Sequence, residues 1–281
     1  MKGKRGSILI STIIVFSVIV PVVVFMSYAA KMSVDTSYNY KADKEIMLSL
    51  RGVIRSLLVG IQKVPVSRLI GKSWSDGDIS VFVSSNDGLL NLNAMLLPDC
   101  RTANTLYLSV YRRLCRYLAL PDRTACILDY IDVDGNERVG GDERGVPNRR
   151  LLSVRELLQV PHITSDYLKK ILPYVTVYSL CKVNVNYAPE LLLRALDDRM
   201  TEDIVRKIVD VRRKRRICSI KDLMKIGVPP VILYRIGPML TFRVAYITAE
   251  VRLQRGNISA EYRVVIKREK MGGKLLYVGF E

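Results

Sequence analysis

The sequence predicts an α+β protein: one long N-terminal helix, an antiparallel-sheet head, and a large all-α insertion within that head. Three observations predict it. Residues 7–30 form an uncharged apolar run, and an amphipathic helical pattern continues from it to residue 62. Alternating, β-rich segments occur at 78–84 and three more times between 241 and 281. Between these two groups, residues 94–240 read almost entirely as short helices.

The apolar run is long enough to cross a bilayer as a helix, which takes about 20 residues. Lys2, Lys4 and Arg5 precede it, and positive charge stays cytoplasmic, so the N-terminus is expected inside and the head outside. No second run of similar length follows, which predicts a single crossing. A secretory signal peptide has a shorter apolar core, with its small-residue cleavage site at the far end. Here the small residue, Gly6, lies at the near end. A cut between Gly6 and Ser7 would leave the apolar helix on a mature chain beginning Ser7-Ile8-Leu9-Ile10-Ser11. An uncleaved signal anchor is the other reading of this stretch.

Past Lys31 the helix continues with one apolar stripe. Ala42, Ile46, Leu50, Val53, Leu57 and Ile61 recur at three- and four-residue steps, with Lys41, Asp43, Lys44, Arg51 and Arg55 on the other face. Such a stripe needs a protein surface to cover it. Gly60 and Pro65 are expected to end the helix. Gly71-Lys72-Ser73 looks like the end of a phosphate-binding loop, but that loop requires glycine where Val66 stands.

Residues 78–84 alternate as a strand, and Asn86-Asp87-Gly88 forms a turn. Helices are expected near 103–119, 122–131, 153–159, 164–172, 188–197, 201–216 and 219–226. From Thr241 alternation resumes in three segments separated by Gly256-Asn257 and Gly272-Gly273, a meander. The expected parts are thus a leader at 1–6, a long helix at 7–62 with its membrane span at 7–30, a β head at 63–93 and 241–281, and the insertion at 94–240.

The net charge of +17 points to nucleic acid, an anionic surface or acidic protein partners. The five cysteines form no C-x-x-C pair, which argues against a zinc-thiolate site. Cys115 and Cys126 are close enough in sequence to pair in an oxidising compartment. His162, the single histidine, follows Pro161 without an acid or nucleophile motif around it, and no catalytic signature occurs elsewhere. The chain is therefore not expected to be an enzyme.

The densest group of oxygen ligands is residues 132–143. Asp132, Asp134, Asn136 and Glu143 fall at positions 1, 3, 5 and 12 of that stretch, as in an EF-hand. Position 6 should be glycine and is Glu137, so the EF-hand geometry is excluded. A calcium loop of another shape, held by Asp132, Asp134, Asn136, Asp142 and Glu143, remains, since clustered carboxylates suit a hard cation. The other reading is a solvated acidic turn, with Arg138 and Arg144 in or beside it.

The segments around 188–197 and 201–216 resemble a helix-hairpin-helix or SAM-like unit. DNA-binding versions grip phosphate with a glycine-containing hairpin, whereas Asp197-Asp198-Arg199-Met200 has no glycine and carries two carboxylates. The basic run Arg212 to Arg216 could still meet nucleic acid, or form a solvated helix end.

Taken in order, these pieces resemble the K-type minor pseudopilins of type II secretion systems. The family's markers appear as a glycine-ended leader; Ser11 where most pilins carry Glu; Asn91-Leu92-Asn93; Asp129-Tyr130-Ile131-Asp132 with Gly140-Gly141-Asp142-Glu143; residues 153–157; residues 172–176; and residues 183–188. The resemblance implies a pilin-like head with a helical insertion, calcium sites, prepilin cleavage with methylation of the new N-terminus, and an inner-membrane anchor with a periplasmic head. It also implies partnership with other minor pseudopilins and with inner-membrane secretion components. Lack of Glu at mature position five implies a place at the pseudopilus tip, in assembly initiation and protein export. Two other functions fit the same segments: a membrane-anchored helix-hairpin-helix DNA-uptake protein, and a minor pilin of a type IV pilus.

Overall fold

The computed structural model describes residues 3–256, 258–270 and 272–280, with side chains from Phe16 onward except Val18. The side chains of Gly6, Ser7 and Ser11, on which the leader reading turns, lie outside the described ones.

Helix α1 (Gly3–Lys63) contains 61 residues and Pro21, which at 1.5 Å per residue makes it about 90 Å long. It is long and apolar enough to cross a membrane. In its first half Ile19, Val23, Val24 and Phe25 all face outward, as lipid-facing residues would. In its second half the sequence stripe becomes the packed face: Ala42, Ile46, Leu50 and Ile61 are buried. Burying each large aliphatic side chain contributes about 1.5–3 kcal/mol, which holds this half onto the sheet. Gly60 lies inside the helix; it is Pro65, lacking an N–H and opening the next 3₁₀ turn, that stops it.

The sheet is antiparallel throughout, in the order β1-β2-β7-β8-β9. Its first two strands are β1 (Ser73–Asp76) and β2 (Ile79–Ser85). Its last three are β7 (Tyr246–Arg255), β8 (Ile258–Glu269) and β9 (Gly272–Phe280), the expected meander. Period-2 alternation puts Val81, Val83, Ala249, Val251 and Val264 on the face that receives α1. β1 is a strand that the sequence pattern does not predict, and the insertion follows the second strand of the head and not the first. Four polar or aromatic residues carry no alternation, but Asp76-Gly77 at the turn into β2 is a hairpin signal.

β2 and β7 are neighbours, paired from Ile79↔Leu253 to Ser85↔Ile247. Everything between them is therefore an insertion whose two ends leave the sheet side by side. It contains β3 (Leu90–Asn91), α2 (Thr105–Tyr117), α3 (Thr124–Ile131), a 3₁₀ turn (Val154–Gln159), α4 (Ser165–Ile171), β4 (Val175–Thr176) and β5 (Val183–Asn184). α5 (Glu190–Ala195), α6 (Glu202–Lys214), α7 (Ile220–Ile226), α8 (Pro230–Ile236) and β6 (Leu240–Thr241) complete it. The insertion is not purely helical. β3 pairs with β4 and β5 with β6, each in parallel over two residues. Pairs that short leave no periodicity to read. α8 was also missed, because Pro229-Pro230 reads as a break; Pro230 instead occupies the first turn of the helix, where its missing N–H costs nothing.

The insertion has a hydrophobic core of its own, built around Leu92, Met95, Tyr111, Leu114, Ile127 and Leu192. One buried carboxylate joins it to the sheet. Asp87, fully buried at the end of β2, accepts backbone N–H groups from Leu180, Ala245 and Tyr246 at 2.9, 2.6 and 2.9 Å. It thus ties the chain leaving the sheet to the chain returning to it. Gly88 follows because a Cβ there would meet the Tyr187 carbonyl oxygen at 2.6 Å.

The five cysteines are free thiols. Cys115 and Cys126 are both buried but face different partners, the Tyr167 hydroxyl and the Gly140 carbonyl, so the bridge considered between them does not form.

Candidate metal centre

The loop after α3 gathers its acids differently from the EF-hand-like count. Asp129 and Asp132 sit three residues apart at the end of α3, a spacing that places them on one face. Both are fully buried. Glu143 comes back from across the loop, and ligand atoms of Asp129, Asp132 and Glu143 lie within 4.8 Å of one another. Asp129 was not among the expected ligands, although the Asp-x-x-Asp spacing at a helix end was the signal for it.

The other expected ligands are engaged elsewhere. Asp134 accepts the Asn136 backbone N–H at 3.1 Å and its side-chain amide at 2.9 Å, closing an exposed turn. Asp142 is held by Arg144 through the backbone N–H, Nε and Nη2 at 3.0, 3.0 and 2.8 Å. Hydrogen bonds from that guanidinium hold its carboxyl down at about 2. Of the five expected residues, the structure brings Asp132 and Glu143 together and leaves Asp134, Asn136 and Asp142 outside the cluster.

Arg138 reaches into the cluster. Its Nη1 donates to Asp129 Oδ1 at 2.8 Å and also to Asp132 Oδ2. Gly141 lets the loop close over these acids: a Cβ there would lie 1.7 Å from Asp129 Oδ2. One guanidinium against three carboxylates leaves two formal negative charges. Among the described residues, Asp132 Oδ1 and both Glu143 oxygens are buried with no hydrogen-bond partner. Burial, and then the neighbouring carboxylates Asp132 and Asp129, push the Glu143 carboxyl up. Burial likewise raises Asp132 against the lowering effect of Arg138. Orphaned carboxylate oxygens in such a place are costly. The donor set is all oxygen, and two oxygens on one calcium lie at most about 5 Å apart, so the group fits a hard divalent cation.

The helix-hairpin-helix segment is tied up inside the insertion. Asp197 is buried and paired with Arg235 at 3.2 Å. Arg113 donates to the Ala195 and Leu196 carbonyls at 2.7 Å each and to Asp198 at 3.1 Å. In the basic run, Arg212 turns inward to the Val185 and Ala188 carbonyls. A second hairpin, Gly227-Val228-Pro229, joins α7 to α8, with Gly227 at φ 97°. Its Pro229 has no N–H to offer a phosphate. Neither hairpin presents the donor set of a phosphate grip.

A helix long and apolar enough to cross a membrane, laid on an antiparallel meander, is a pilin-like fold, here with an insertion between adjacent strands. Residues 88–180 match the family model of type II secretion system protein K. The fold matches a chain in the crystal structure of the GspK-GspI-GspJ complex from the enterotoxigenic Escherichia coli type 2 secretion system. That match has a TM-score of 0.64 at 15% identity and covers 88% of this chain and 99% of the other. No curated protein matches by sequence. Over residues 88–180 the chain is thus similar in sequence to protein K of type II secretion, and over most of its length it shares the fold of the matched chain.

Proposed function

We propose that this chain is a K-type minor pseudopilin of type II secretion and the terminal subunit of its pseudopilus, assembled with other minor pseudopilins, and that it takes part in starting assembly and in protein export. The observation that carries this reading is where the insertion sits. Arg216 of the insertion lines one hollow with Pro65 and Ser67, which directly follow the far end of α1. The insertion therefore lies beside the segment that follows the membrane-distal end of the long helix, and in this reading it obstructs the place where a further subunit would stack. Ser11, in place of the usual Glu, agrees with this, because the charge that would pair with a neighbouring N-terminus is missing. The GspK of the matched structure is itself in a complex with GspI and GspJ. Co-expression of the full chain with two other minor pseudopilin candidates, followed by detergent extraction, tests the association. A stoichiometric complex is expected; recovery of the chain alone would contradict it.

In this reading the chain has no catalytic role, its N-terminus is cytoplasmic, its head is periplasmic, and inner-membrane secretion components are further partners. The acidic cluster holds calcium through Asp129, Asp132 and Glu143, with Arg138 between two of them. A bound cation there would neutralise buried charge and fix the loop, a structural task. Processing falls between Gly6 and Ser7. Mass spectrometry of the membrane-extracted chain should find a mature, methylated N-terminus at Ser7; an intact Met1 or a cut beyond Ala30 would contradict this.

A further inference from the structure

Two adjoining hollows, about 400 and 250 Å³ in volume, open where α1 ends, the insertion returns and the sheet begins. Lys182, Arg216 and Arg243 line the first; Arg216, Arg243, Arg268 and Ser67 line the second. Four cations thus converge from four separate segments of the chain. None of the four is ion-paired to a carboxylate among the described residues, although thirteen arginines elsewhere are. Arg216 spends one N–H on the Phe242 carbonyl at 2.6 Å, which fixes it at the rim. The carboxylate beside Cys218, Asp222, faces its own helix: it accepts the Cys218 and Ser219 N–H groups and lies 4.0 Å from Arg215. Glu269 follows Arg268 along β8, and successive strand residues point to opposite faces.

We propose that this basin binds carboxylates of an acidic protein segment. Guanidinium forks match carboxylate oxygens in pairs, and like charges held together without a counter-ion gain most from an anion. A lipid headgroup of the anchoring membrane is out of reach. The basin lies beyond Lys63, and the stretch from Ala30 to Lys63 spans about 50 Å of helix. A duplex is also disfavoured, since the cations surround a hollow and do not follow a line along the surface, and Arg212 of the basic run is turned inward. The basin extends the tip reading: a subunit whose distal end stacks no further pilin presents a receptor for acidic segments there.

The test uses the full chain in phosphatidylcholine nanodiscs at physiological salt. The probes are a hexaglutamate peptide, a hexaglutamine peptide, inorganic phosphate and a short duplex DNA. Saturable one-site binding of hexaglutamate, with none of hexaglutamine, is expected. Lys182→Gln with Arg268→Gln should weaken it about tenfold, the equivalent of 1.4 kcal/mol, without shifting the melting temperature, since neither side chain is hydrogen-bonded among the described residues. Arg206→Gln with Lys207→Gln removes the same charge from α6 and should leave binding within about twofold. Equal loss in both double variants would overturn the site in favour of net charge alone. Tighter binding of DNA or of phosphate than of hexaglutamate would overturn the occupant. The readout does not involve other pseudopilins, so it fails independently of the capping proposal.

Discussion

Asp87→Ala should destabilise the full chain by about 3–5 kcal/mol. The substitution removes a buried acceptor from three backbone N–H groups at once, and each buried donor left without a partner costs about 1–3 kcal/mol, partly recovered by relaxation. For a head of this size that corresponds to a drop of about 10 °C in melting temperature. Asp87→Asn should also destabilise, because its amide presents donors to donors. Calorimetry on the detergent-solubilised chain would decide; a variant melting with the wild type would remove Asp87 from its role as the clamp between insertion and sheet. The pH dependence has a definite sign. Burial raises the Asp87 carboxyl above its usual value, outweighing the hydrogen bonds from Tyr246, Ala245 and Leu180 that lower it. Its titration therefore adds most stability below the ordinary carboxylate range and less as pH rises through the raised value. The advantage of wild type over Asp87→Asn should widen as pH falls through that window.

Calcium should raise the melting temperature of the wild-type chain relative to chelator, and Arg138→Gln should enlarge the difference. At a hundredfold excess over Kd, binding to the folded state alone contributes about 2.7 kcal/mol. Without the Arg138 guanidinium, Asp129 and Asp132 lose the one cation that lies between them. In chelator this leaves uncompensated buried charge, which typically costs about 3–5 kcal/mol; in calcium the ion offsets much of it. Coincident melting curves with and without calcium, for wild type and for Arg138→Gln alike, would reduce the cluster to a self-sufficient ion-pair network. Asp134→Ala serves as the comparison, since Asp134 closes its own turn outside the cluster, and it should leave the calcium response intact.

The elements legible in the sequence were those with long, regular periodicity. The stripe from Ala42 to Ile61 and the three strands after Thr241 each give many residues to one pattern, and each forms, although the first strand begins only at Tyr246 and Gly272-Gly273 open the last strand and do not make the turn. β1, the two-residue parallel pairs and α8 were illegible because they are too short to repeat, or because a proline in a first turn looks the same as a proline that breaks a helix. The acidic cluster of Asp129, Asp132 and Glu143 shows the limit most clearly. Spacing along 132–143 pointed to the loop where acids gather but not to which of them meet. Whether Asp142 faces the cluster or Arg144, and whether Asp129 reaches it from the preceding helix, depends on how Gly141 lets the loop fold back. The basin of Lys182, Arg216, Arg243 and Arg268 is non-local in the same way, assembled from positions far apart in sequence.

The central claim is that the insertion makes this chain a terminal subunit, and the most direct measurement is its position in assembled pseudopili. Full-length chain carrying a small epitope would be co-assembled with the major and minor pseudopilins, and sheared filaments labelled with gold. The account predicts label at one end only, for the wild type and equally for Ser11→Glu, because the insertion beside the distal end of α1 still prevents stacking. Label distributed along the shaft, for either protein, would contradict it.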